Sequence, residues 1–133
     1  MSEPQSLGDK LATDRTQLAS ERTRLAHERT LMAWVRTAAS LISFGFTIDK
    51  TFGFLREQKT VDTSAIAIGP RAFALMMIGI GLTALLLAAA RHRQDMKALN
   101  AVYGSSGYSL AAVVAVLVGG LGVLGLASVL LRF

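Results

Sequence analysis

Polar and apolar positions divide the chain into one periodic polar segment and three apolar stretches. From Leu31 to Ile48 eighteen residues carry a single charge, Arg36. Ala72 to Ala90 gives nineteen residues with no charge, and Leu110 to Leu131 gives twenty-two. A helix that crosses a bilayer needs about 20 mainly apolar residues. The pattern therefore predicts spans at about 31–50, 70–90 and 109–131. Trp34 sits near the start of the first, where an interfacial anchor belongs. Gly69-Pro70 is a favourable start for the second, because proline at the first helical position gives up no hydrogen bond. Arg91, His92, Arg93 and Lys97 are expected to close it. Gly104, Ser105, Ser106 and Gly107 read as a turn, and Ser109 as the cap of the third helix. In that helix Ala111, Ala115 and Gly119 recur every four residues, followed by Gly120, Gly122 and Gly125. Such spacing lets helix backbones approach closely in lipid, within one subunit or between subunits. Ala115, Gly119 and Gly122 are the candidate packing positions.

The polar segment is a seven-residue phrase written four times from Leu11 to Ala38: LATDRTQ, LASERTR, LAHERTL, MAWVRTA. Arginine recurs at Arg15, Arg22, Arg29 and Arg36. Threonine follows each one, and Asp14, Glu21 and Glu28 precede the first three. The fourth copy has Val35 in the acidic slot. On a helix at about 100° per residue, a seven-residue repeat drifts only about 20° per copy, so each column keeps to one stripe. The arginine column then runs between the leucine column on one side and the alanine column on the other, and the acids stand about 120° away from it. None of the four arginines has an acid three or four residues away, whereas Arg24 can reach both Glu21 and Glu28. The phrase predicts an amphipathic helix over 11–30 that leads into the first span. Residues 1–10, with Pro4 and Gly8, are expected to form a flexible tail, and 11–133 one membrane domain. The fold class is all-α, integral to the membrane, with three transmembrane helices behind an amphipathic cytoplasmic helix.

Composition narrows the chemistry. The chain has 133 residues, 52% of them hydrophobic, and a net charge of +5. It has no cysteine, hence no disulfide and no thiol nucleophile or ligand. The two histidines, His27 and His92, lie far apart and form no ligand-spaced cluster, so no metal site and no cofactor are expected. His27 and Glu28 are sequence neighbours and point to different sides of a helix, so they form no dyad. No phosphate-binding glycine loop appears, and no catalytic residue is assigned; the chain reads as a non-enzyme. Residues 11–30 carry four basic and three acidic residues, too balanced for a nucleic-acid surface. No apolar core follows a basic start, so no signal peptide is expected.

Four arginines on one stripe need partners, and the residues leave several open. The helix can lie on the membrane with guanidinium groups on lipid phosphates. It can belong to a helical hairpin or coiled coil with a mixed seam. The arginines can pair with Glu21 and Glu28 of a neighbouring subunit. Or arginines from several subunits can ring a vestibule for anions. Guanidinium suits phosphate because it stays charged and binds as a fork.

The segment from Leu25 to Thr37, LAHERTLMAWVRT, followed by apolar residues and Gly45, resembles the signature of the YidH-like family of small inner-membrane proteins, the domain of unknown function 202. The resemblance runs from about Ser20 to Phe133. That domain is similar to the membrane part of the eukaryotic vacuolar transporter chaperone complex, whose subunits form a pentameric channel that passes polyphosphate through rings of basic residues. The resemblance implies that Arg29 is the ring arginine of the ERT phrase, Glu28 its acidic neighbour, and Arg22 a basic position one repeat earlier. Arg36 matches the bacterial RT arginine, which the eukaryotic pattern does not always keep. Arg91 and Arg93 fall in the corresponding basic loop. The chain carries no polymerase domain, so the resemblance implies no polyphosphate synthesis.

The expected function is that of an oligomeric inner-membrane protein that binds or conducts phosphate-rich anions, polyphosphate among them, at Arg15, Arg22, Arg29, Arg36, Arg91 and Arg93. The alternative is a non-conducting accessory or scaffold protein whose N-terminal helix docks on lipid phosphates or a partner protein. The expected partners are the lipid membrane and further copies of the chain. Topology follows from the basic residues. Eight of them (Lys10, Arg15, Arg22, Arg24, Arg29, Arg91, Arg93 and Lys97) share a side with the N-terminus, against five (Lys50, Arg56, Lys59, Arg71 and Arg132) on the other. A cytoplasmic N-terminus and an external C-terminus are therefore expected in the plasma membrane. Reporter fusions at both ends test this, and a cytoplasmic C-terminus would mean that one span is misplaced.

Overall fold

The computed structural model describes residues 6–58, 69–103 and 109–131. These form three helices: α1, Leu7–Glu57; α2, Pro70–Tyr103; and α3, Leu110–Leu131. All three are long and apolar enough to cross a membrane. Strands are absent among the described residues.

Helix α1 is continuous over 51 residues, or roughly 76 Å. Its beginning differs from the expected tail over 1–10. Ser6 is the N-cap, its hydroxyl accepting from the Asp9 amide at 3.2 Å, and Leu7 to Lys10 are helical. A serine cap with an acid in the first turn outweighs Gly8 there. Residues 1–5 lie outside the described residues. Helix α2 also differs. It does not end at the basic cluster but continues through Arg91 to Tyr103. Arg91 and Arg93 therefore stand on a helix, not in a loop. Good helix formers fill this extension, and Met96 and Leu99 are half-buried. The turn expected at Gly104–Gly107 falls outside the described residues. Ser109 precedes α3, and the Ala112 amide donates to its carbonyl at 3.1 Å and its hydroxyl at 3.4 Å.

The core follows a seven-residue rhythm in each helix. Leu31, Val35, Ala38, Ile42 and Gly45 are buried on α1. Ala74, Ile78, Gly81, Leu85 and His92 are buried on α2, and Ala111, Ala115, Gly122 and Val129 on α3. Alternating steps of four and three mark a knobs-into-holes seam. Large side chains such as Phe44, Leu86, Leu121 and Leu124 point outward, as suits a hydrocarbon surround. In lipid no hydrophobic drive pushes helices together, so close packing holds them.

Two glycines make that packing possible. A Cβ on Gly45 would sit 2.9 Å from the Ala74 carbonyl oxygen and 3.0 Å from Ile78 Cγ1. A Cβ on Gly81 would sit 3.1 Å from the Ala38 carbonyl oxygen. On α3 the tight position is Gly122, where a Cβ would lie 2.7 Å from Leu82 Cδ2 and 2.8 Å from Ile42 Cδ1. Gly119 has room for a Cβ, 3.5 Å from Leu85 Cδ2, and Gly120 faces open space.

At the end opposite Ser6 the bundle is tied by cations. Arg71 Nη2 donates to the carbonyls of Val129 at 2.9 Å and Leu130 at 3.1 Å. Those carbonyls lack intrahelical partners at the end of α3. Lys50 donates to Ser128 Oγ at 3.3 Å and lies 5.1 Å above the Phe46 ring.

Gly45→Ala should destabilise the protein by about 1–3 kcal/mol, the usual cost of overpacking. Gly79→Ala, where a Cβ meets nothing within 4 Å, should be neutral or slightly stabilising. Thermal unfolding of the purified protein in detergent compares the two, and equal effects would contradict the seam.

Candidate functional site

The seam fixes which way the arginines point. Val35 is buried, so its neighbour Arg36 turns outward; Arg15, Arg22 and Arg29 keep the same stripe and are likewise exposed. Arg24 Nε lies 3.7 Å from Glu28 Oε1, and His27 Nδ1 lies 3.2 Å from Asp95 Oδ2. Neither involves a repeat arginine. The acidic side of the repeat turns partly inward, with Glu28 half-buried, while Glu21 and Asp14 are exposed.

The threonines of the repeat have a role that the sequence reading left out. Each donates its hydroxyl to the alanine carbonyl of its own phrase: Thr16 to Ala12 at 2.9 Å, Thr23 to Ala19 and Thr30 to Ala26 at 3.0 Å, and Thr37 to Ala33 at 3.1 Å. The hydroxyl beside each arginine is thereby satisfied without solvent, which suits a surface that continues into the membrane. The signal was visible in the spacing, since threonine stands four residues after alanine in every copy.

Two depressions meet at Arg29. One is a groove of about 460 Å³ between α1 and the start of α3, where Glu28, Arg29 and Arg36 stand among Leu25, Met32, Ala33, Leu110, Ala111 and Val114. The other is shallow, lined by Arg29, Thr30, Ala33, Trp34 and Thr37. Trp34 is 48% exposed and lies beside Arg29 at the edge of the uncharged stretch. Arg36 lies five residues past Leu31, about 7.5 Å deeper along the helix. A charged group within a span costs about 2.5–3.5 kcal/mol on insertion scales unless it is solvated or paired. Arg15 and Arg22 lie further along the same stripe, outside these grooves. Arg91 and Arg93 are exposed on α2 and line neither groove. Of the six arginines assigned from sequence, the structure thus brings Arg29 and Arg36 together in one groove. No group of three or more potential metal ligands occurs among the described residues.

Sequence reasoning missed His92, which is 6% exposed. It lies just past Ala90, the end of the uncharged stretch. Its Nε2 is 3.3 Å from the hydroxyl of Ser109, the residue that caps α3. Its Nδ1 is buried without a partner among the described residues. Burial lowers its pKa below the ordinary value of 6.5, and the opposing pull of Glu28 is the smaller influence. A neutral ring also suits the positive end of the α3 dipole. Only the antiparallel register of α1 and α2 brings His92 and Asp95 to this level, and no local motif announces it.

Comparison with known families gives one finding. The family model described as "Domain of unknown function (DUF202)" matches residues 22–98. The match covers more than half of the chain, and the chain belongs to that family. It includes the last two arginine phrases, the end of the second from Arg22 on, and most of α2. Neither the curated proteins nor the solved structures give a match.

The lowered pKa of His92 sets a pH dependence. The folded state prefers the neutral ring, so this contribution to stability is complete above the ordinary value of 6.5 and is lost as pH falls below it toward the lowered value. The thermal midpoint in detergent should therefore drop on going from about pH 7.5 to about pH 5. His92→Gln should flatten that drop, and an equally steep drop in the variant would contradict the assignment.

Proposed function

We propose that this DUF202 protein is an oligomeric membrane protein that binds or conducts phosphate-rich anions, polyphosphate among them, through a vestibule lined by arginines of α1. One observation carries the reading. Arg29 and Arg36 share a groove at the membrane boundary, between α1 and the start of α3, where both are exposed, and neither is in an ion pair among the described residues. An exposed guanidinium beside apolar residues needs a counter-charge, and a phosphate-rich anion supplies one in fork geometry. The resemblance of the ERT phrase to the membrane part of the vacuolar transporter chaperone complex supports the same reading.

The continuity of α1 weighs against the scaffold alternative in its lipid-docking form. A helix without a break from Leu7 to Glu57 carries Arg15 about 24 Å beyond Leu31 along its axis. It projects away from the bilayer rather than lying on it.

The test is polyphosphate binding and flux in reconstituted vesicles. Loss of one charge-assisted contact costs about 1.5–3 kcal/mol, so Arg29→Ala should weaken binding by about tenfold or more. The helix should survive, since the position is exposed and alanine is the best helix former. Arg29→Lys should recover only part, keeping the charge without the fork. Arg24→Ala should matter less, because Arg24 is turned to Glu28. Equal effects at Arg29 and Arg24, or none at either, would contradict the proposal.

A further inference from the structure

Among the described residues, the first part of α1 has no partner in its own chain. His27 pairs with Asp95 across antiparallel helices, so Tyr103, eight residues further along α2, reaches about the level of Ala19. Every residue from Ser6 to Ala19 is exposed. Leu11, Leu18 and Leu25 are 52%, 56% and 54% exposed, although their seven-residue spacing is that of a packed stripe. A lone helix of this length is marginal in water, and an apolar stripe on it calls for a cover.

The charges beside the stripe say what the cover is. Each leucine column is flanked about 60° to one side by the arginines and about 60° to the other by the acids. When two parallel helices face each other along such a stripe, the arginine flank of one meets the acidic flank of the other. In an antiparallel pair, arginine would face arginine. Copies of one membrane protein insert in the same sense, so their first helices are parallel.

We propose that α1 of a second copy packs in parallel and in register along Leu11, Leu18 and Leu25, with Asp14 and Glu21 of one copy pairing with Arg15 and Arg22 of the next. This rests on the reading that the chain assembles, and it divides the arginine column. The pairing ends after two repeats, because Glu28 is turned to Arg24 of its own chain and Val35 replaces the acid in the fourth copy. Arg15 and Arg22 zip the subunits together, which leaves Arg29 and Arg36 as the guanidinium groups that meet the anion.

The chain has no native cysteine, so single cysteines report contacts cleanly. In membranes treated with a mild oxidant, Leu18→Cys should give a disulfide-linked dimer, whereas Thr23→Cys, about 140° away on the helix, should not. Glu21→Arg and Arg22→Glu, each added to Leu18→Cys, should lower the dimer yield severalfold, and the two reversals together should restore it. Absence of the Leu18 cross-link, equal cross-linking at Thr23, or failure of the double reversal to restore the yield would overturn the contact. A helix held on lipid would leave Leu18→Cys uncrosslinked and shielded from a water-soluble maleimide. A helix held by another protein would give a product that is not a multiple of the chain mass. Either result also overturns it. Polyphosphate binding measured in the same membranes separates the two claims. Binding retained without the cross-link sinks the contact alone, and the cross-link without binding sinks the anion reading alone.

Discussion

The backbone approach of α1 and α2 at Gly45 and Gly81 sets the rotation of α1, and the rest of the molecule depends on that rotation. Inside a bilayer, apolar side chains gain nothing by leaving the hydrocarbon, so helices stay together where their surfaces fit. Two carbonyl groups, of Ala74 and Ala38, occupy the space that a side chain on either glycine would need. The buried seam and the arginine column both repeat every seven residues. Once the seam is buried, the arginines are fixed on the outward side from Arg15 to Arg36, with no freedom to turn inward farther along the helix.

The same geometry sorts the remaining charges. On the Arg29 side of the bundle, Arg24 meets Glu28 within α1, His27 of α1 meets Asp95 of α2, and buried His92 meets the cap of α3. At the other end Arg71 holds the last carbonyls of α3, and Lys50 reaches Ser128. Apart from Arg24–Glu28, which lies within α1, these contacts tie the three helices together. The repeat arginines do not, which is why they are the residues left to face something outside the chain.

Much of the architecture was legible in the sequence because transmembrane helices declare themselves by length and missing charge. Pro70 and Ser109 mark the starts of α2 and α3 where their chemistry predicts. The seven-residue phrase showed the arginine stripe and the lack of acids around it, since both depend only on helical spacing. The extension of α2 to Tyr103 was not legible, because a basic cluster after an apolar run reads as a membrane edge whether or not the helix goes on. Among the glycines, spacing on α3 pointed to Gly119 and Gly122 alike, and only the neighbours Leu82 and Ile42 separate them. Gly45 and Gly81 were hidden because a lone glycine in a span signals nothing until a second backbone is placed against it. His92 was hidden for the same reason, since its burial depends on α3 returning to its side.

In the proposed assembly Arg36, the deepest charge of the column, faces the interior rather than lipid. A structure of the purified oligomer in a lipid nanodisc tests it most directly. Arg36 side chains from all subunits should converge on the symmetry axis, with Arg29 in the same vestibule. Arg36 on the lipid-facing perimeter, with its guanidinium drawn back to the headgroups, would contradict it.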